Sequence, residues 1–200
     1  MDSIGNKSFF SLLLFVAVLG VAGGLWADEE TPALESEIAV PLSDLRAPDF
    51  TLKDQWRKPH VFRWPAETVY VVGIGDRYSG HLAETWYKQG KERFADRVRM
   101  IAIAALEDLP VLWKPWLGLV LRRHVEDPVH LDWKNEVVTG FDYRPRELNI
   151  YVVAPDGEVM LRLFGKVNDK KLDRLAEALA PYLPEGEDEP TTENNSPTVE

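Results

Sequence analysis

Within six residues, Asp76-Arg77-Tyr78-Ser79-Gly80-His81 supplies a carboxylate, a guanidinium, a phenol, a hydroxyl and an imidazole. The segment follows the apolar run Thr68–Ile74 and precedes a helical pattern. It therefore falls where helix N-terminal amides point outward and can hold a small anion or other ligand. Asp76, Arg77, Tyr78, Ser79 and His81 are the candidate binding residues. Ser79 is the preferred N-cap of the helix, with Asp76 the other choice. The same side chains make a poor nucleophilic triad, because Asp76, Ser79 and His81 crowd onto one turn without evident oxyanion donors.

Other chemistries are excluded by what the chain lacks. It has no cysteine in 200 residues, so it can form no disulfide, thiolate nucleophile or cysteine metal site. The histidines are His60, His81, His124 and His130, and no two are spaced i, i+4. His124, Glu126, Asp127 and His130 are dense enough to invite a metal, but they read as a surface loop, and no metal site is assigned. Neither a GxGxxG nor a Walker motif occurs. No catalytic residue and no cofactor are expected.

The net charge is −10, which argues against a nucleic-acid partner. That charge belongs to the flanks. Asp28, Glu29, Glu30, Glu35, Glu37 and Asp44 precede Arg46 without a basic residue among them. The tail 184–200 holds six acids and no Lys or Arg, and reads as a disordered acidic extension. Residues 28–46 read as an acidic linker. Phe9–Trp26 is uncharged and apolar and follows Lys7. Residues 1–27 therefore read as a signal peptide, cut after Ala22 or Ala27, or as an uncleaved membrane anchor. Both predict an exported, extracytoplasmic or membrane-anchored domain over 47–183.

The elements that must position these residues are legible as periodicity. Strands are predicted at Phe50–Leu52, Thr68–Ile74, Arg99–Ala105, Asn149–Ala154 and Glu158–Phe164, with a short one at His130–Asp132. Pro155-Asp156-Gly157 is the turn of a hairpin. Helices are predicted at Gly80–Phe94, Asp169–Tyr182 and Leu109–Arg123, with Pro115 breaking or kinking the last. Strands alternating with helices and closing in a hairpin imply an α/β three-layer sandwich, a mixed sheet with helices on both faces.

Arg46-Ala-Pro-Asp-Phe-Thr-Leu-Lys-Asp54 resembles the opening of the redoxin and peroxiredoxin (AhpC/TSA-like) branch of the thioredoxin-like fold. Ile150-Tyr-Val-Val-Ala-Pro-Asp-Gly-Glu-Val159 resembles the hairpin that closes that fold. The resemblance covers about 46–183 and implies a thiol, often a CxxC pair, at the first strand-to-helix junction. There the helix N-terminus would lower its pKa. This chain has Tyr78 and His81 at those positions, or Ser79 and Leu82 if the alignment shifts by one. The family's cis-proline is replaced by Leu148, with Pro145 three residues early. Leu148 joins the candidate binding residues on that basis. Family catalytic residues do not carry over, and the chain resembles a cysteine-less exported member.

A non-catalytic module that binds a protein partner is the expected function. The alternative is an antioxidant-type oxidoreductase acting with a cysteine-bearing partner, or by cysteine-free chemistry at Tyr78–His81. A second surface is predicted on the Leu109–Arg123 helix, where Trp113, Trp116, Leu117 and Val120 could dock a protein or a membrane face.

Overall fold

The computed structural model describes residues 45–94 and 97–183. The predicted signal segment, most of the predicted acidic linker and the predicted acidic tail lie outside the described residues.

Chain order runs β1 (Phe50–Asp54), β2 (Pro59–Phe62), β3 (Tyr70–Gly75), α1 (Gly80–Phe94), β4 (Arg99–Ala105), α2 (Lys114–His124) and β5 (Val129–Asp132). It continues through α3 (Glu136–Gly140), β6 (Asn149–Val153), β7 (Val159–Phe164) and α4 (Asp169–Leu179). The seven strands form one sheet in the order β2-β1-β5-β4-β3-β6-β7. β3, β4 and β5 are parallel, and the remaining pairings are antiparallel. The sheet is mixed, as the element order predicts.

Side-chain alternation along β3 and β6 explains the layers. Val69, Val71, Ile150 and Val152 point to one face, where Trp86 and Phe94 of α1 and Leu172, Leu175 and Leu179 of α4 bury them. Tyr70, Val72, Ile74, Tyr151 and Val153 point to the other, covered by the β1–β2 hairpin and by Val137 and Val138 of α3. Leu117 and Leu121 of α2 pack with Leu106, Leu109 and Leu131 in a third cluster.

Several local expectations change. Pro115 does not kink a long helix. Val111–Trp113 form a 3-10 turn, and Pro115 lies in the first turn of α2, where its missing N–H costs nothing. α4 is capped by Asn168, whose side chain accepts from Lys171 N–H at 2.9 Å, and ends at Leu179. The final residues to Tyr182 are a 3-10 turn around Pro181. β2 and the five-residue α3 were not foreseen. Asp132 holds α3 in place, its Oδ2 accepting from Val137 and Val138 N–H at 2.8 and 3.1 Å.

Candidate functional site

β3 ends at Gly75 beside the first residue pairs of β6, and the chain then turns into α1. Asp76 organises that turn. Its Oδ1 accepts from the main-chain N–H of Tyr78 and of Ser79, each at 2.9 Å. The Ser79 hydroxyl donates to the same oxygen at 2.9 Å and accepts from Asp76 N–H at 3.0 Å. Asp76 thus satisfies the main-chain amides of the turn that leads into α1. Ser79 is buried and its hydroxyl is committed to Asp76. The carboxylate and hydroxyl bond directly, leaving no place for an imidazole between them, so a Ser–His–Asp triad is excluded by geometry.

The second oxygen of Asp76 reaches across the sheet. Arg146 N–H donates to Oδ2 at 2.6 Å, and Arg146 holds a left-handed φ of 67°, a conformation uncommon for a residue with a Cβ. Asn149, buried at the start of β6, fixes the loop from inside. Its Oδ1 accepts from Arg144 N–H at 2.9 Å, and its Nδ2 donates to the carbonyls of Arg144 and Glu147 at 2.9 and 2.8 Å. The Tyr143 hydroxyl is buried near Asp76 and Ser79 without a hydrogen bond of standard geometry. Burial, followed by the neighbouring carboxylate, pushes the Tyr143 phenol well above its ordinary range. For Asp76, burial opposes ionisation. The groups around it (Arg146 N–H, Tyr143 and Ser79) outweigh that cost and hold its carboxyl below the usual carboxylate range.

Above this closure lies an exposed rim. The Tyr78 ring lies within cation–π range of two guanidiniums, with Arg77 Cζ 4.5 Å and Arg146 Cζ 5.3 Å from its centroid. Arg77 also donates to the Tyr78 hydroxyl. Tyr78 is 41% exposed, and Arg77, Arg144, Arg146 and His81 are exposed as well. Aromatic surface flanked by cations suits an acidic or aromatic partner group.

The structure thus brings together Asp76, Arg77, Tyr78 and Ser79, with His81 exposed on the first turn of α1. Leu148 does not belong on the rim. It is 1% exposed, and its Cδ1 lies 3.1 Å from where a Cβ on Gly75 would sit. It fills the core beneath the turn instead of facing a ligand. The cis X-Pro bond among the described residues is Trp64–Pro65, not one before β6. Tyr143, Arg146 and Asn149 were missed, because nothing local in a stretch between two elements announces a contact to Asp76.

The α2 surface also differs from expectation. Leu117 is buried in the core, so it is no docking residue. Trp113 and Trp116 are half-buried and pack edge-to-face at 5.6 Å, and Val120 is half-buried. Val111, Leu112 and Leu119 carry the exposed apolar area, with Leu112 90% exposed. His130 lies on β5. It is buried, its ring 4.7 Å from that of His60, which pairs with Asp54 at 2.8 Å. Among the described residues, no group of three or more His, Cys, Asp or Glu is arranged to hold a metal ion.

No family profile and no curated protein matches the chain. Solved structures do. The pneumococcal exposed lipoprotein thioredoxin Etrx1 from Streptococcus pneumoniae strain TIGR4 is 11% identical over 65% of this chain and 99% of its own, at a TM-score of 0.53. A thiol-disulfide oxidoreductase from Bacteroides fragilis is 12% identical over 67% of this chain and 98% of its own, at 0.51. StoA from Bacillus subtilis is 10% identical over 66% and 98%, also at 0.51. At such identities the likeness shows the fold alone. The fold is thioredoxin-like, and the chain that adopts it here contains no cysteine.

Proposed function

We propose that this thioredoxin-fold chain is a redoxin-type binding module that holds a protein partner at the rim made by Arg77, Tyr78, His81 and Arg146, and that it works in the cell envelope or exported space. The observation that carries the proposal is the state of the junction. Where the resemblance implies a reactive thiol pair, the chain has Tyr78 and His81, both exposed. The polar groups beneath them are consumed internally: Ser79 Oγ and both Asp76 oxygens are hydrogen-bonded within the protein. The hydroxyl and carboxylate that could serve as nucleophile and base in a cysteine-free reaction are thus committed to structural bonds. The rim above them is left with surface suited to contact. Export rests on the uncharged Phe9–Trp26 run and on the acidic, lysine-free linker that follows it. No helix among the described residues is long and apolar enough to cross a membrane.

Site-specific photo-crosslinking tests the proposal. A benzophenone side chain at Tyr78 should give discrete adducts in isolated envelopes, and the same group at an exposed position remote from the rim, such as Glu92 near the far end of α1, should not. Equal adduct patterns from both positions would contradict partner binding at the rim.

A further inference from the structure

At the opposite end of β3 from Asp76, the start of that strand and the end of β2 enclose a cleft of about 240 Å³. Its walls are aromatic. Trp64 packs edge-to-face on Tyr70 with ring centroids 5.5 Å apart, and Phe62 does the same at 6.1 Å. Trp64 is immobilised from behind. Its Nε1 donates to Pro48 O at 3.2 Å, its main-chain N–H donates to Asp49 Oδ1 at 3.1 Å, and its Cγ lies 2.8 Å from where a Cβ on Gly157 would be. Gly157 holds φ at 92°, so both its backbone and its missing side chain serve this packing.

The mouth of the cleft is charged. Arg99 Nη1 donates to the Tyr70 hydroxyl at 3.2 Å. That bond fixes the guanidinium at the edge of the aromatic wall while using one of its five N–H groups. Arg63 also lines the cleft, and among the described lining residues Glu67 is the one carboxylate, with Asp49 behind Trp64. Two guanidiniums against one carboxylate leave the mouth net positive.

We infer that this cleft binds a single aromatic ring bearing a carboxylate. The apolar walls take the ring, and Arg99, assisted by Arg63, takes the carboxylate, a group that guanidinium pairs with bidentately. Size supports one ring. A cavity of about 150 Å³ holds benzene, and sites for drug-sized ligands start near 300 Å³. Such a group could be a free small acid or the C-terminal phenylalanine of a peptide. The site is about 17 Å from the rim along β3, at roughly 3.3 Å per residue, and stands independently of partner binding there.

Heteronuclear NMR titration of the full chain tests it, with phenylacetate and N-acetylglycyl-phenylalanine as probes and phenylacetamide as the uncharged control. The expected result is a saturable shift at the Trp64 indole N–H and at the Ala66 and Tyr70 amides, with roughly millimolar affinity for a probe of about ten heavy atoms. Phenylacetamide and the Arg99→Gln variant should each bind about fivefold more weakly or worse. If Arg99→Gln loses its dispersed spectrum, Arg63→Gln provides the same comparison. Saturation by phenylacetate alone identifies a free acid as the occupant, and saturation by the peptide identifies a chain terminus. No saturable shift with either probe, or phenylacetamide binding as tightly as phenylacetate, would overturn the inference.

Discussion

Arg146 N–H donates to Asp76 Oδ2 at 2.6 Å, closing 70 residues of chain into one turn-to-loop contact. The contact joins the start of α1 to the loop before β6, the two segments that border the crevice in a fold of this class. The rim around Tyr78 exists because that contact and the Asn149 bonds hold Arg146 in position.

Replacing Asp76 with Ala should therefore loosen the rim as well as destabilise the fold. Three main-chain amides and the Ser79 hydroxyl lose their acceptor. The expected loss is about 2–3 kcal/mol by urea unfolding. Exchange of the Arg146 amide should accelerate beyond what that global loss explains. Asp76→Asn, which keeps a neutral acceptor, should lose less. The pH dependence follows from the depressed carboxyl. Its contribution is complete above the ordinary value of 3.8 and is lost as pH falls through the lower folded value. Unchanged Arg146 exchange in Asp76→Ala would show that the loop is held without the carboxylate.

Gln55 has an equivalent role at the other edge of the sheet. It is 1% exposed, accepts from Val129 N–H at 2.8 Å and donates to Asp127 O at 2.8 Å and Val125 O at 3.3 Å. It pins the turn between α2 and β5. Gln55→Leu conserves volume but orphans these groups, and should lower stability by about 2–3 kcal/mol. Thermal unfolding measures it, and a midpoint within error of the parent would refute the assignment.

His130 makes stability fall on acidification. Burial is the main cause of its lowered pKa, with a further lowering from facing His60. The Ala102 carbonyl and Asp54 act in the opposite direction. His130 Nδ1–H donates to Ala102 O at 2.9 Å, while Nε2 is buried without a partner. The unfolded chain protonates this histidine near 6.5 and the folded chain does so only at lower pH. Stability is thus complete above 6.5 and declines below it, by at most about 1.4 kcal/mol per pH unit for one proton. Urea unfolding between neutral pH and pH 5 should show that slope, and His130→Gln should flatten it. A parent protein with no slope across that window would contradict the assignment.

The purified chain should neither reduce insulin disulfides nor turn over peroxide by a thiol route, because it lacks the attacking sulfur. Turnover by metal-free protein at the rate of a thiol enzyme would demand chemistry that the occupied Asp76–Ser79 pair does not provide.

How much of this was legible in the sequence depended on the range of the interaction. β3, α1 and the β6–β7 hairpin are written locally, in a β-branched run, a 3.6-residue pattern and a Pro-Asp-Gly turn. β2 was hidden because Pro59-His-Val-Phe is short and half-exposed, and gains its shape by pairing with β1. α3 has only five residues and depends on Asp132 from the preceding strand. At the site, the turn Asp76–His81 was recognisable by polarity, whereas its partners were not. Arg146 adopts a left-handed φ that its residue type does not advertise, and Asn149 looked like one more residue at the start of a strand. Leu148, placed on the rim by its sequence position, turned inward because Gly75 leaves room for it.

The partner site proposed above is the rim, and not the exposed α2 surface. Affinity capture from native envelopes with the leader intact, comparing the parent with Tyr78→Ala/His81→Ala, tests it most directly. Both side chains are exposed, so the double variant should change stability by less than about 1 kcal/mol. Proteins captured by the parent should be lost or strongly depleted with the double variant, and retained when Leu112 of the α2 surface is changed to Ser. Equal capture by Tyr78→Ala/His81→Ala, with loss on Leu112→Ser, would contradict the rim site and move the partner to the surface of α2.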